Sequence, residues 1–429
     1  MARYGKAFLV LLLPAALIQF FVNREVSRYT AITGKGIWTG FVSLGKWYAL
    51  PLFVLCFVNF LWFGGYATAG GSSLYEVAQW PNWGNQWGSL FWGYTLVIFF
   101  SLAILFSKVI YALIEVVMKV VTVITIGGLV ASAVIVGNKD VWLEFLGALF
   151  NLKNFGVGVN WSDFDNSKLI TGLVFAGMGG FLNLMYSYWM KDKGVGVAKY
   201  SSKMSGMLSG LKQTKTDGQF VIRDSKGNSR KWKNWVSYLN IDSGLAVVIN
   251  VLTIVLTSFL AFVLLWPSRN YPEGWSITVA QSSFFESSFG AVGRIVFLLV
   301  AAAFLVDTWL ALADGVSRQF ADFSFSFWGS KKKLKTENDW YNFWLLFLIG
   351  VSLVTMPLAS PGALMNLIGV ISVFAFAFYI PALAYLNYVK LPASQPKFVK
   401  PKMISAIWLG LVWLVYVGLA IWYVIVSLT

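Results

Sequence analysis

Ten stretches of this chain are long and apolar enough to cross a lipid bilayer, and no other feature narrows its fold as much. A spanning helix needs roughly 20 mostly apolar residues. Runs of that kind fall at about 6–23, 46–66, 88–107, 109–137, 168–190, 240–266, 290–316, 340–359, 363–389 and 404–427. In hydrocarbon every backbone N–H and C=O must be bonded within the protein, so a span is a helix or part of a closed barrel. Barrel strands alternate over about 10 residues. These runs are continuously apolar, which makes them helices. Of the 429 residues, 58% are apolar and 12% charged, half the usual charged share of about 25%. No soluble core could bury so much apolar surface. The expected class is an all-α polytopic membrane protein.

The residue types that are missing exclude much chemistry. There is no His, and Cys56 is the only Cys. No disulfide can close within one chain, no Cys/His zinc site can form, and no catalytic triad can use His as its base. Motifs for phosphoryl, acyl or hydride transfer are absent too, so neither an enzyme nor a cofactor is expected.

The net charge of +15 orients the spans. Of 33 Lys and Arg, 25 lie on one side, in 24–46, at Lys108, and in 191–233, 318–335 and 390–402. Six lie on the other: Arg3, Lys6, Lys139, Lys153, Lys168 and Arg269. The positive-inside rule puts the rich side in the cytoplasm of a multi-pass protein of the plasma (inner) membrane. The largest cytoplasmic element is the basic loop 191–236. Within it GQFVIRDSKGNSRKW (218–232) reads as a small β-hairpin turning at Ser225-Lys226-Gly227-Asn228. Its charge holds the loop inside, against the lipid bilayer and its anionic lipid. No aromatic platform or groove motif accompanies it, so nucleic acid is not an expected partner. Outside, Trp80, Trp83, Trp87 and Trp92 read as an interfacial belt.

One consequence is awkward. Ten spans leave both termini outside, with Arg3 and Lys6 on the wrong face. The tail is short and its charges tolerated, or a further span precedes Met1, or the start is a secretory signal. Against the last, FLVLLLPAALIQFF is followed by no small-residue cleavage site and runs on into Asn23-Arg24-Glu25.

Ionisable residues inside spans are costly, so each is a candidate site. Asp314, Arg318 and Asp322 stand four apart on one helix face and read as a structural ion network or a gate contact. Asp307, seven residues earlier, lies well inside its span. It binds a cation, carries a proton, or pairs with a neighbouring Arg or Lys. The most informative stretch is TGLVFAGMGGFLNLMYSYWMKDKG (171–194), where Gly177, Gly179 and Gly180 interrupt an apolar run. Each Gly costs about 1 kcal/mol in a helix relative to Ala. They admit a close-packed neighbour, or they permit an unwound break whose carbonyls coordinate an ion at the midplane. Asn183 adds an amide oxygen and Met178 a thioether. Transporters often hold two inverted repeats, each opening with a broken helix. If 168–190 opens the second, five spans should precede it, and four do. Charge and repeat count point to the same gap.

The order and spacing resemble the Nramp divalent-metal transporter family, in its divergent prokaryotic branch. IQFFVNREVSRYTAITG (18–34) resembles that branch's second helix, YALIEVVMKVV (111–121) its fifth, GMGGFLNLMYSYWMKDKGVGV (177–197) its broken sixth, and VSRQFADF (316–323) the end of its eighth. The resemblance implies a leucine-transporter-type inverted-repeat fold forming one transmembrane domain, 1–429. Residues 1–137 would be the remainder of the first repeat, 168–389 the second, and 404–427 an extra C-terminal helix. Eleven helices are expected of the family and about ten of this chain, which looks as if it starts after the first. The main branch carries Met-Pro-His-Asn in its sixth helix. Aligned on Asn183, this chain has Gly180, Phe181 and Leu182 there, so the soft Met and the proton-linked His are both absent.

The resemblance thus implies substrate or ion binding by Gly177, Met178, Gly180, Asn183 and Tyr379, the last at the place of the tenth-helix Gln. Gly177 and Asn183 are the implied metal ligands. Coupling or gating falls to Asp307, Asp314 and Arg318. A thioether favours soft ions, so Gly180 in place of Met should weaken that preference and leave a roomier site. The expected function is secondary active transport of a divalent cation (Mn, Fe or Mg), with proton coupling open and a monomer as the working unit. The alternatives are a same-fold carrier of a small organic solute, and a non-transporting membrane subunit or remnant.

Overall fold

The computed structural model describes residues 2–106, 110–161, 164–177, 179–200, 222–268, 273–331 and 334–428. Side chains are described for all of these except 103–106, 110–115, 117 and 118. Among the described residues the chain is helical and has no strand. In order the helices are α1 (Leu9–Thr33), α2 (Ile37–Val42), α3 (Lys46–Phe60), α4 (Gly64–Ala78), α5 (Gly84–Phe106), α6 (Ile110–Val136), α7 (Lys139–Phe150) and α8 (Asn166–Phe175). There follow α9 (Met185–Lys193), α10 (Lys226–Leu260), α11 (Ile277–Ala280), α12 (Ser283–Trp328), α13 (Glu337–Thr355), α14 (Pro361–Tyr385), α15 (Leu391–Ser394) and α16 (Met403–Leu428).

Among the described residues each of the ten apolar runs is mainly helical. Eight helical segments among the described residues are long and apolar enough to cross a membrane: Leu9–Thr33, Lys46–Ala78, Lys119–Val136, Asn166–Lys193, Lys226–Leu265, Ser283–Trp328, Pro361–Ser394 and Met403–Leu428. The other two runs are α5 and α13. The chain is therefore a multi-pass membrane protein.

Polar residues in the connections set where helices begin. The Asn138, Asp165 and Ser225 side chains accept the first free N–H groups of α7, α8 and α10. Thr336 and Asp339 form a reciprocal capping box at α13. The Ser225 cap corrects the hairpin expectation. Ser225 Oγ accepts from Asn228 N at 3.2 Å, and Lys226 opens a 35-residue helix. The β reading looked at turn residues and missed the period that follows. Trp232, Leu239, Ser243 and Val247 are buried along one face of α10, which is helical spacing. The first residues of the proposed hairpin, 218–221, lie outside the described residues.

Arg3 and Lys6 find partners on the face opposite the basic loops. Lys6 Nζ lies 2.6 Å from Glu144, and Arg3 3.6 Å from Glu273, which also receives Lys168 at 2.8 Å. The Lys168 hydrogen bond holds the Glu273 carboxyl below its ordinary range. The two awkward charges are thus balanced where they stand.

The largest buried cluster draws on α1, α2, α3, α9, α12, α13 and α14. Close approaches need glycine at a few points: a Cβ at Gly315 in α12 would overlap Met185, and one at Gly71 in α4 would overlap the α5 backbone. This cluster surrounds the interruption between α8 and α9.

Candidate functional site

The fifth predicted span is broken inside the protein. α8 stops at Phe175, a 3-10 turn covers Gly180–Leu184, and α9 begins at Met185. Gly179 and Gly180 both take left-handed backbone, with φ of 78° and 54°. Two consecutive left-handed residues are tolerable only for glycine. That decides for a break. The close-packing reading also holds, because a Cβ at Gly177 would overlap the Gln19 amide and one at Gly180 would overlap Ser372. The roomier site expected at Gly180 is therefore not found. Ser372 of α14 already fills the space a larger side chain would need.

A break in a membrane helix frees backbone groups that hydrocarbon cannot satisfy. Side chains from four other helices satisfy them here. Gln19 of α1 donates to Val174 O at 2.9 Å and to Tyr416 OH at 3.0 Å, and its Oε1 accepts from Gly179 N at 3.0 Å. Asn250 of α10 donates to Ala176 O at 2.7 Å. Tyr379 of α14 donates to Gly180 O at 3.0 Å, and Gln319 of α12 to Phe181 O at 3.2 Å. Several carbonyls expected to face an ion are thus occupied by neutral donors.

Asn183 lies at the inner edge of the break and is 0% exposed. Its Nδ2 donates to Asn23 Oδ1 at 2.5 Å and to Gln19 Oε1 at 3.3 Å. Among the described residues its Oδ1 has no hydrogen-bond partner. Across the site Asn59 of α3 accepts from Ser372 Oγ at 3.2 Å, while its Nδ2 is buried without a partner among the described residues. A buried unpaired polar atom costs about 1–3 kcal/mol, so both atoms have capacity for a polar guest. The cradle is neutral: Gln19, Asn23, Asn59, Asn183, Ser372, Tyr379 and Tyr416. Among the described residues no group of three His, Cys, Asp or Glu is placed to hold a metal. What this set can do is coordinate through neutral oxygen, or exchange hydrogen bonds with a solute.

Charge gathers at the inner end instead. Arg318 Nε reaches Asp314 Oδ1 at 3.0 Å and Oδ2 at 2.9 Å, and its Nη1 pairs with Asp192 at the end of α9. Tyr341 of α13 donates to Asp314 Oδ1 at 2.7 Å. All four are buried. Asp322 does not join them, although it is one turn from Arg318. It accepts instead from Thr39 N at 3.1 Å, Thr39 Oγ1 at 2.5 Å and Tyr188 OH at 2.7 Å. Lys191 pairs with Glu337 at 3.2 Å. Together these bonds tie α9 to α2, α12 and α13.

Asp307 stands apart. It is 2% exposed, its Oδ1 has no hydrogen-bond partner, and it has no ion-pair partner among the described residues. Twelve residues, about 18 Å of helix rise, separate it from Gln319. Of the sequence candidates, Gly177, Gly180, Asn183 and Tyr379 therefore meet at the break. Asp314 and Arg318 meet at the inner network, and Asp307 belongs to neither. Met178 lies outside the described residues. Sequence reading missed Gln19, Asn23, Asn59, Asn250 and Gln319. The first two carried a signal, since polar residues four apart in an apolar run share one helix face. Asn59 and Asn250 sit singly in long spans, where nothing local distinguishes them, and Gln319 is masked by the charges of Arg318 and Asp322 beside it.

No protein-family profile matches the chain, and no curated protein matches it in sequence. Solved structures do. A Glu-to-Gln variant of the Eremococcus coleocola manganese transporter aligns with TM-score 0.58 at 10% identity, over 99% of this chain and 89% of that one. The same transporter bound to an aromatic bis-isothiourea substituted compound aligns with TM-score 0.57 at 11% identity and the same coverage. At that identity the likeness establishes a shared fold. It is the leucine-transporter-type fold expected from the sequence.

Proposed function

We propose that this chain is a secondary active transporter that carries a divalent metal cation across a membrane, with the cargo held where α8 gives way to α9. One observation supports this above the rest. In a fold shared with a manganese transporter, a span breaks at a buried point, and polar side chains of α1, α3, α14 and α16 converge there. The chain is read as a carrier rather than an enzyme. Gly177 and Asn183 are the proposed ligands, Asn183 through its unpartnered Oδ1. The described cradle offers only neutral oxygen and nitrogen, and oxygen donors suit hard ions, so Mn²⁺ and Mg²⁺ fit better than softer cargo. With no carboxylate in the cradle, the ion would keep part of its water shell.

The inner network would serve as the gate. Opening the site inward requires α9 to leave α12, which breaks the Arg318–Asp192 pair. Asp307 is the proposed proton or second-ion carrier on the outward side. We place the basic loops in the cytoplasm and the protein in the plasma membrane on the charge asymmetry, and the repeats at 1–137 and 168–389. A monomer is the proposed working unit.

The test is uptake by the full chain in liposomes across Mn²⁺, Mg²⁺, Fe²⁺ and Ca²⁺, with isothermal binding alongside. Mn²⁺ or Mg²⁺ uptake that is lost in Asn183→Ala supports the proposal. Binding of none of these ions removes it. One observation favours a second reading, a carrier of a small uncharged organic solute. The cradle leaves one acceptor and one donor unfilled, at Asn183 Oδ1 and Asn59 Nδ2, with no counter-charge for a cation. Liposomes that take up no metal but exchange a labelled amide or polyol would select it.

A further inference from the structure

A second cavity lies on the face that carries the basic loops, lined by residues other than those that bond the broken helix. It holds about 290 Å³ between the inner end of α1, the first turns of α10 and the segment leading into α16. Five cations line it: Arg24, Arg28, Lys233, Lys400 and Lys402. Trp232 contributes an apolar wall. Among the described residues only one carboxylate bonds to any of these cations, Glu25, 3.5 Å from Arg28. Arg28 is buried and also donates to Val399 O, while Arg24 donates to Ser405 Oγ at 2.8 Å. The guanidinium groups are thus fixed in place. Lys233, Lys400 and Lys402 are exposed, and no salt bridge holds them among the described residues.

The walls continue away from this cavity as an apolar surface. On α1, Leu17, Phe20, Phe21 and Arg24 follow helical spacing along one face, and Leu17 is 50% exposed. Phe20 faces Gly244 of α10, where an added Cβ would lie 4.0 Å from its ring, and Phe21 stacks on Trp408 of α16 with ring centroids 5.0 Å apart. Beside them Ile241 and Leu245 of α10, and Ile404 and Ile407 of α16, are more than half exposed. A positive cavity therefore opens onto a groove of lipid-facing side chains, floored by α1 and walled by α10 and α16.

We propose that this cavity and groove bind one anionic phospholipid, with its phosphate among Arg24, Lys233, Lys400 and Lys402 and its acyl chains along α1. A free phosphate would explain the cations but not the apolar continuation. Neutral lipid would explain the groove but not an excess of four positive charges, five cations against Glu25. Basic clusters at the cytoplasmic end of membrane helices recognise anionic headgroups through this combination. The site does not depend on what the broken helix carries.

The experiment titrates the detergent-purified full chain with short-chain phosphatidylglycerol, short-chain phosphatidylcholine and inorganic phosphate. Bound lipid is counted by native mass spectrometry, and melting temperature is followed in parallel. Phosphatidylglycerol should bind at least about tenfold more tightly than phosphatidylcholine and raise the melting temperature. Lys233→Gln with Lys402→Gln should remove about tenfold of that affinity. The same charge loss outside the cavity, Lys226→Gln with Lys231→Gln, should leave it in place. Equal binding of the two lipids, or an unchanged preference in the cavity variant, overturns the proposal. Competition by inorganic phosphate at matched concentration overturns the lipid assignment in favour of a soluble anion. The two altered lysines are exposed, so their loss should not unfold the protein; the melting shift of the unaltered chain provides an independent reading.

Discussion

The broken helix and the inner end of α9 are nine residues apart and are built on opposite principles. The break is held by neutral hydrogen bonds from Gln19, Asn250, Tyr379 and Gln319. The inner end is held by buried charge, Arg318 with Asp314 and Asp192, and Lys191 with Glu337. Neutral bonds in a buried site can be traded for bonds to a guest at little net change in free energy, since each contributes about 0.5–1.5 kcal/mol. A buried ion pair behaves otherwise. Its net contribution is small, but stranding one partner costs about 3–5 kcal/mol. The middle of the span is thus suited to exchange and the inner end to an all-or-none contact.

The comparison can be broken at several points. The largest effect is expected at the inner end. Arg318→Met strands two buried carboxylates and should destabilise by about 3–5 kcal/mol, read as a large fall in melting temperature in detergent. Arg318→Lys should not rescue it, because an ammonium cannot span both carboxylates as the guanidinium does. A variant that melts like the unaltered protein would remove the charged latch from the argument.

Next comes Gly180→Met, the substitution that would restore a thioether. It forces a side chain into left-handed backbone, costing about 1–2 kcal/mol. It also overpacks against Ser372, costing about 1–3 kcal/mol more. Pairing it with Ser372→Gly should recover part of the melting temperature. No recovery would mean that the backbone, and not the packing, sets the requirement.

Smaller still, and sharper as a contrast, are Gln19→Leu and Asn183→Ala. Gln19→Leu leaves Gly179 N–H without its acceptor and takes from Val174 O one of its two bonds, the other coming from Gly177 N, and should cost about 1–3 kcal/mol. Asn183→Ala removes an amide whose oxygen is already unpaired. It should shift melting by less than Gln19→Leu while reducing cargo binding more. The reverse ranking would show that Asn183 supports the fold and Gln19 the cargo.

The smallest effect belongs to the outer surface pair. The Glu273 carboxyl is held low by Lys168, so its contribution is present above the ordinary Glu range near pH 4 and is lost as pH falls through the lowered value. Such an exposed pair is worth about 0–1 kcal/mol. An acid melting series of Glu273→Gln should differ slightly from the unaltered protein above that range, and the difference should vanish once pH falls below the lowered value. A large difference would give the outer face a structural weight that its exposure argues against.

Particular residues show where the sequence was legible. Gly179-Gly180 ahead of Asn183 marked the break, and the backbone takes left-handed φ at both. Asp314 and Arg318 are one turn apart and meet as the spacing required. The same spacing failed for Asp322, because Thr39 and Tyr188 lie nearer to it than Arg318 does in usable geometry. Ser225-Lys226-Gly227-Asn228 was misread, since a capping Ser and a turn Ser look alike until the helix period beyond is followed. Asp307 was singled out for coupling by its depth in the span, and depth does not say which wall a residue faces.

The sequence alone determined that the chain crosses a membrane as helices, where those helices fall, and which one breaks. Those properties follow from apolar length, charge placement and backbone freedom, which are local. Which side chains would fill the break was decided only by tertiary structure. Gln19, Asn59, Asn250 and Gln319 lie on four different helices, and a lone Asn or Gln carries no mark of its partner. In hydrocarbon each freed N–H and C=O must find a bond, and only the packing of the helices settles which amide is within reach.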